Sequence, residues 1–110
     1  MRWVFVVAWS GVLIAGSTAF AGDLAKGKEL YQSRCSFCHG AAGRGDGPAG
    51  TALQPRPTNF TDPDFWKTTK PELQRMIIMN GKPGTAMVPF GQTMKTEEVD
   101  DVLAYLQTFK

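Results

Sequence analysis

The sequence has little of what most catalytic centres are built from. It holds one histidine and two cysteines in 110 residues. A structural zinc site needs about four N or S ligands, so it is short of donors here. No second histidine, acid–base cluster or nucleophile constellation is in view, which argues against a hydrolytic or acid–base enzyme. No cluster of Lys or Arg marks a nucleic-acid surface, and no sustained run of like charge marks a docking tail. Apolar–polar alternation of the strand type is missing at any useful length, as are repeats and low-complexity linkers.

One stretch differs sharply from the rest. MRWVFVVAWSGVLIAGSTAFA begins with the single charge of Arg2, runs apolar from Trp3 to Ala15 apart from Ser10 and Gly11, and ends in Ala19-Phe20-Ala21. This is the layout of a secretory signal peptide over residues 1–21, with cleavage expected after Ala21. The alternative is an uncleaved anchor, but the apolar run is short and followed directly by Gly22-Asp23. Removal leaves a soluble, exported chain of 89 residues, 22–110. That is one domain with a modest core, for which an apolar cofactor would supply missing bulk. The mature chain carries 11 basic against 10 acidic residues, scattered singly.

The mature segment reads as short helices separated by long Gly/Pro loops. The first helix is expected from about Asp23 to Arg34, capped by Asp23, with Leu24, Gly27, Leu30 and Tyr31 on one face. A Gly-rich loop with three prolines follows from Gly40 to Thr61. Asp62-Pro63 can start a short helix through Trp66, and a third runs from Pro71 to Gly81 with Leu73, Met76 and Ile77 inward. After a second loop, Lys82 to Lys95, the last helix is expected to be capped by Thr96. It shows Val99, Val102, Leu103, Tyr105 and Leu106 as an apolar stripe. It should cross the first helix at Gly27, where the missing side chain permits close approach.

The first helix delivers the chain into Cys35-Ser36-Phe37-Cys38-His39, which has the spacing of a c-type haem attachment motif. Two thiols three residues apart can reach two vinyl groups on one side of a porphyrin and form thioethers. The next residue, His39, is then held under the ring and can ligate iron. Export makes a disulfide the default for two cysteines, and a thioredoxin-like pair uses the same spacing. The first would not require the following His, and the second needs a βαβ context that is absent. Covalent haem c through Cys35 and Cys38 is therefore the expectation.

With a single histidine, a second imidazole ligand from the same chain is excluded. Methionine is the soft alternative, and its thioether favours ferrous iron. Met76 and Met79 lie within a helix and read as core packing. Met87, in Gly84-Thr85-Ala86-Met87-Val88-Pro89-Phe90, sits in a stiff loop that can pass over the opposite haem face. Met87 is the expected sixth ligand, with Met94 or an open position as alternatives. Trp66 and Arg56 can hydrogen-bond haem propionates, or serve only as a core aromatic and a solvated loop charge.

These residues together resemble a class I cytochrome c over nearly the whole mature length. The resemblance runs from Gly27 and Tyr31 through CSFCHG and GDGPAG to GTAMVPFG and the terminal DDVLAYLQTF. It implies an all-α fold of about four short helices wrapped around one haem, with His39 and Met87 as axial ligands. It also implies a crossing of first and last helices at Gly27, Tyr31, Val102 and Tyr105. The Gly47-Pro48 turn would offer a backbone carbonyl to the non-ligating nitrogen of His39, with Pro48 part of the haem site. The function implied is one-electron transfer in the periplasm, as in a respiratory chain. Partners would be redox proteins such as a membrane oxidase, reductase or dehydrogenase, with the chain a monomer or a subunit of a larger complex. A haem enzyme with a displaceable sixth ligand is the remaining class.

Overall fold

The computed structural model describes residues 2–8, 10–11 and 22–110; the expected cleavage box Ala19-Phe20-Ala21 lies outside them. Among the described residues every regular element is helical. The helices are α1 (Leu24–Arg34), α2 (Ser36–His39), α3 (Pro63–Thr68), α4 (Pro71–Asn80) and α5 (Thr96–Leu106), with 3-10 turns at Gly50–Ala52 and Gln107–Phe109. The fold is thus all-α, as expected, and the one-turn α2 inside the haem motif makes the count five. No described helix is long and apolar enough to cross a membrane. Residues 3–7 are exposed apolar chain without helix or strand.

The core forms where α1 packs on α5. Asp23 caps α1, its carboxylate accepting from the amides of Ala25 at 2.9 Å and Lys26 at 3.2 Å. Asp23 also ties α1 to α5, its own amide donating to the Asp101 carboxylate at 2.7 Å. At Gly27 a Cβ would collide with the backbone carbonyl of Asp101, so only glycine allows this approach. Beside it the rings of Tyr31 and Tyr105 tilt together at 5.3 Å, and Phe109 from the C-terminal turn meets both. Val99, Val102, Leu103 and Leu106 are buried, as the stripe predicts.

Three local expectations need correction. Leu24 is 54% exposed, because the α1–α5 contact uses only the Gly27, Leu30 and Tyr31 face. Thr96 is the first residue of α5 rather than its cap; Lys95 occupies the cap, and its amide donates to Glu98 Oε1 at 2.9 Å. Leu73 and Met76 face outward, at 45% and 58% exposure, whereas α4 turns Gln74, Ile77 and Ile78 inward. With Met76-Ile77-Ile78-Met79 apolar throughout, helical periodicity alone could not choose the face. Tertiary packing chose it: the amides of Phe90 and Gly91 bond the carbonyls of Ile78 and Met79, drawing that side of α4 under the following loop.

Candidate haem site

A cavity of about 240 Å³ opens between the five helices, the 53–60 loop and the 82–90 loop. Its walls are mostly apolar, and four chemically distinctive side chains line it together: Cys35, Cys38, His39 and Met87. The local fold explains the first three. Tyr31, fully buried, donates its hydroxyl to the Gly40 carbonyl at 2.6 Å and so clamps the end of α2 onto α1. The Cys38 and His39 amides both bond back to Cys35, closing the single turn that spaces the motif.

His39 is oriented by two contacts. Its ring stacks on Phe60, with centroids 4.7 Å apart. Nδ1 lies 3.2 Å from the carbonyl oxygen of Thr58. A carbonyl has no proton to give, so Nδ1 is the protonated nitrogen and Nε2 keeps its lone pair. Burial lowers the pKa of the ring, favouring the neutral form, and the bond to Thr58 partly opposes this. A neutral imidazole with a carbonyl-bonded Nδ1 is the state a metal requires.

That partner is not the one expected. Pro48 is exposed and lies outside the cavity wall. The turn it belongs to is used behind α2: the Gly47 amide donates to Cys38 O at 3.1 Å and the Ala49 amide to Phe37 O at 3.0 Å. These bonds satisfy carbonyls that a one-turn helix cannot satisfy itself, and they hold Pro48 away from the imidazole. Thr58, 19 residues beyond His39, takes the role.

Trp66 is likewise corrected. Its indole N–H donates to Phe60 O at 2.7 Å, its ring packs edge-on against Phe65, and the Lys110 ammonium sits 5.5 Å from its centroid. The donor is spent on locking the loop that carries Thr58 and Phe60. Arg56 does line the cavity, exposed at its mouth. Arg34 and Lys82 join it there. The sequence reasoning missed both, although Arg34 stands directly before the first cysteine.

The methionines separate by place. Met94 is 5% exposed and belongs to the core cluster, not the cavity wall. Met87 is half-buried in the wall. Its loop is folded on itself by Lys82 N to Met87 O at 3.2 Å, Thr85 Oγ1 to Lys82 O at 2.7 Å and Met87 N to Thr85 Oγ1 at 3.2 Å.

No disulfide joins Cys35 to Cys38, and burial pushes the Cys35 thiol up to about 11. Among the described residues no group of three or more His, Cys, Asp or Glu gathers as for a bare ion. The donor set instead fits a macrocycle: two thiols on one edge, one imidazole, one thioether, apolar walls and cations at the mouth.

Comparison with known proteins agrees. Residues 24–110 match the family described as Cytochrome c. The chain belongs to the cytochrome c family. It therefore carries haem c, with Cys35 and Cys38 at the attachment positions.

This cytochrome is 29% identical over 92 residues to cytochrome c-554(547) of Halothiobacillus neapolitanus, covering 82% of this chain and all of that one. It is 35% identical over 94 residues, 86% of its length, to dihydro-haem d1 dehydrogenase of Pseudomonas aeruginosa, of which the match spans only 17%. Among solved structures it resembles the KustC0563 c-type cytochrome, with TM-score 0.63 and 30% identity over 76% of this chain and 96% of that one. It also resembles a chain of the Kuenenia stuttgartiensis reducing HAO-like protein complex. There the TM-score is 0.62 and the identity 28%, over 76% of this chain and 41% of the other.

Proposed function

We propose that this cytochrome is an exported one-electron carrier whose haem iron is held between His39 and Met87. The observation that carries the reading is that the chain's one imidazole and a loop thioether line the same cavity as the two attachment cysteines. With His39 and Met87 as its two protein ligands, a bound haem would have no site for substrate and would supply only a one-electron couple. A Met ligand stabilises the ferrous form and raises the potential.

Each part of the chain has a task. Cys35 and Cys38 fix one edge of the macrocycle, the Thr58 carbonyl holds His39 with Nε2 free, and the apolar walls exclude water. Arg56, with Arg34 and Lys82, supplies positive charge at the mouth for the propionates. When bound, the haem supplies the one-electron iron couple. Export over residues 1–21 places the protein in the periplasm.

The ferric absorption band near the red edge, which reports sulfur on iron, tests the assignment. Wild type should show it, Met87→Leu should lose it, and Met94→Leu should keep it. Its survival in Met87→Leu overturns the ligand. A second reading, a haem subunit fixed in a larger assembly, is favoured by the relatives in which the matched segment is a fraction of a longer chain. Size-exclusion of native extracts followed by haem staining separates the two. Stain at low mass marks a free carrier, and stain only at high mass marks a subunit.

A further inference from the structure

The segment that orients His39 has no regular structure of its own. Residues 56–59 belong to no helix or turn. Yet this segment brings the Thr58 carbonyl to Nδ1 and, through the next residue, sets the Phe60 ring on the imidazole face. An irregular stretch keeps one shape only where its neighbours hold it, because fixing each backbone residue costs entropy.

The hold is concentrated at Phe60. Its amide donates to the Gly43 carbonyl at 2.6 Å, and its carbonyl accepts the Trp66 indole N–H at 2.7 Å. Its ring meets Phe65 at 5.3 Å and Phe109 at 6.3 Å. Trp66 is carried by α3, which Asp62 caps, and packs edge-on against Phe65. Phe60 and Phe65 line the cavity, whereas Trp66 stands behind them and outside its wall.

We infer that Trp66 is a positioning residue for the axial imidazole: its indole N–H closes the 56–60 segment and so fixes the angle of His39 and shields its Nδ1–H. The inference rests on His39 being the iron ligand. An imidazole held through Nε2 can still turn about that bond. Thr58 and Phe60 restrain it from two points on one segment, and Trp66 holds the segment at its end. Losing the indole bond loosens both restraints together.

NMR of the purified holoprotein tests this. In the diamagnetic ferrous state, solvent exchange of His39 Nδ1–H reports local opening of the segment. Trp66→Phe keeps an aromatic ring and removes the N–H. Exchange at His39 should quicken on the order of fivefold, the scale of one hydrogen bond, while the slowest amides of α1 and α5 keep their rates. In the ferric cyanide adduct the added ligand is axially symmetric, so the spread of the haem methyl shifts follows the imidazole angle. Phe60→Leu should change that spread, and Trp66→Phe should change it less. Residues 22–110 contain no other tryptophan. Growth on benzothienylalanine, which sets sulfur in place of the N–H at constant shape, should therefore reproduce Trp66→Phe.

A rise in exchange shared equally by His39 and the α1–α5 amides marks a residue that contributes packing alone, and overturns the inference. Wild-type exchange or a wild-type methyl spread in the sulfur analogue overturns it too. A wild type lacking the Met–iron band overturns the Met87 assignment, and faster His39 exchange in the same samples still supports Trp66. An Nδ1–H without the haem ring-current shift overturns His39 as ligand, and the inference with it.

Discussion

Tyr31 joins three parts of the molecule through one side chain. Its ring fills the α1–α5 crossing and touches Phe109, while its hydroxyl donates to Gly40 at the end of the haem motif. Tyr31→Phe keeps the packing and leaves the Gly40 carbonyl with the Gly43 amide as its remaining donor, which should cost about 1 kcal/mol, the net worth of one hydrogen bond, in urea unfolding of the holoprotein. Burial holds the phenol well above its usual pKa. With the folded pKa raised, the stabilisation is complete below the unfolded value, about 10, and is lost as pH climbs beyond it. The gap between wild type and Tyr31→Phe should thus be constant from neutral pH to about 9 and shrink above 10. A gap that widens in alkali contradicts this.

At the same scale, the residues proposed for the haem site differed in how readable they were. Cys35, Cys38 and His39 form a contiguous pattern whose chemistry depends on local spacing, so the chain alone revealed them. Met87 was separable from Met94 only by loop composition, and burial of Met94 in the core agrees with that choice. Thr58 could not be found, because it acts through a backbone carbonyl that every residue possesses. Pro48 and Trp66 were misplaced for a related reason. Where a turn or an indole N–H is spent depends on nearby carbonyls that only the fold positions.

Among the elements, α1 and α5 were legible, while α4 was legible in its bounds, Pro71–Asn80 before Gly81, but not in the face it turns inward. A polar residue on each outer face makes the stripe of α5 unambiguous, and Gly27 announces a close crossing. Gly27→Ala sets a methyl against the Asp101 carbonyl and should cost about 3 kcal/mol, at the upper end of overpacking effects. Denaturant midpoints of the holoprotein would report it. Asp23→Ala removes the cap and should cost about 1 kcal/mol by the same measurement. Its amide bond to Asp101 comes from the backbone and survives. If the two variants proved equally mild, the helix crossing would not depend on backbone contact.

For the whole molecule, the proposed leader over residues 1–21 is tested at the N-terminus of the exported protein. N-terminal sequencing of protein recovered from the periplasm should begin at Gly22, and the product should show the same visible spectrum as a chain expressed with an unrelated leader. A start at Met1 would mean the leader is retained as an anchor. The cavity walls come from all five helices and two long loops, so the haem is the common centre of the helical unit. The double variant Cys35→Ala, Cys38→Ala should lose covalent haem by mass and unfold with a broader, lower transition, because the largest apolar body in the interior is no longer secured.

Both ends of the helical unit are clasped by the same pair of helices. Asp23 is tied to Asp101 in α5, and Phe109 lies on Tyr31 and Tyr105. Entry and exit of the polypeptide therefore share one seam, apart from the mouth, where Arg34 at the far end of α1 stands with Arg56 and Lys82. A unit built this way can be spliced into longer polypeptides like a cassette, its neighbours attached at the seam and its redox-active opening left clear. The same plan can thus stand alone in one protein and make up a small fraction of another.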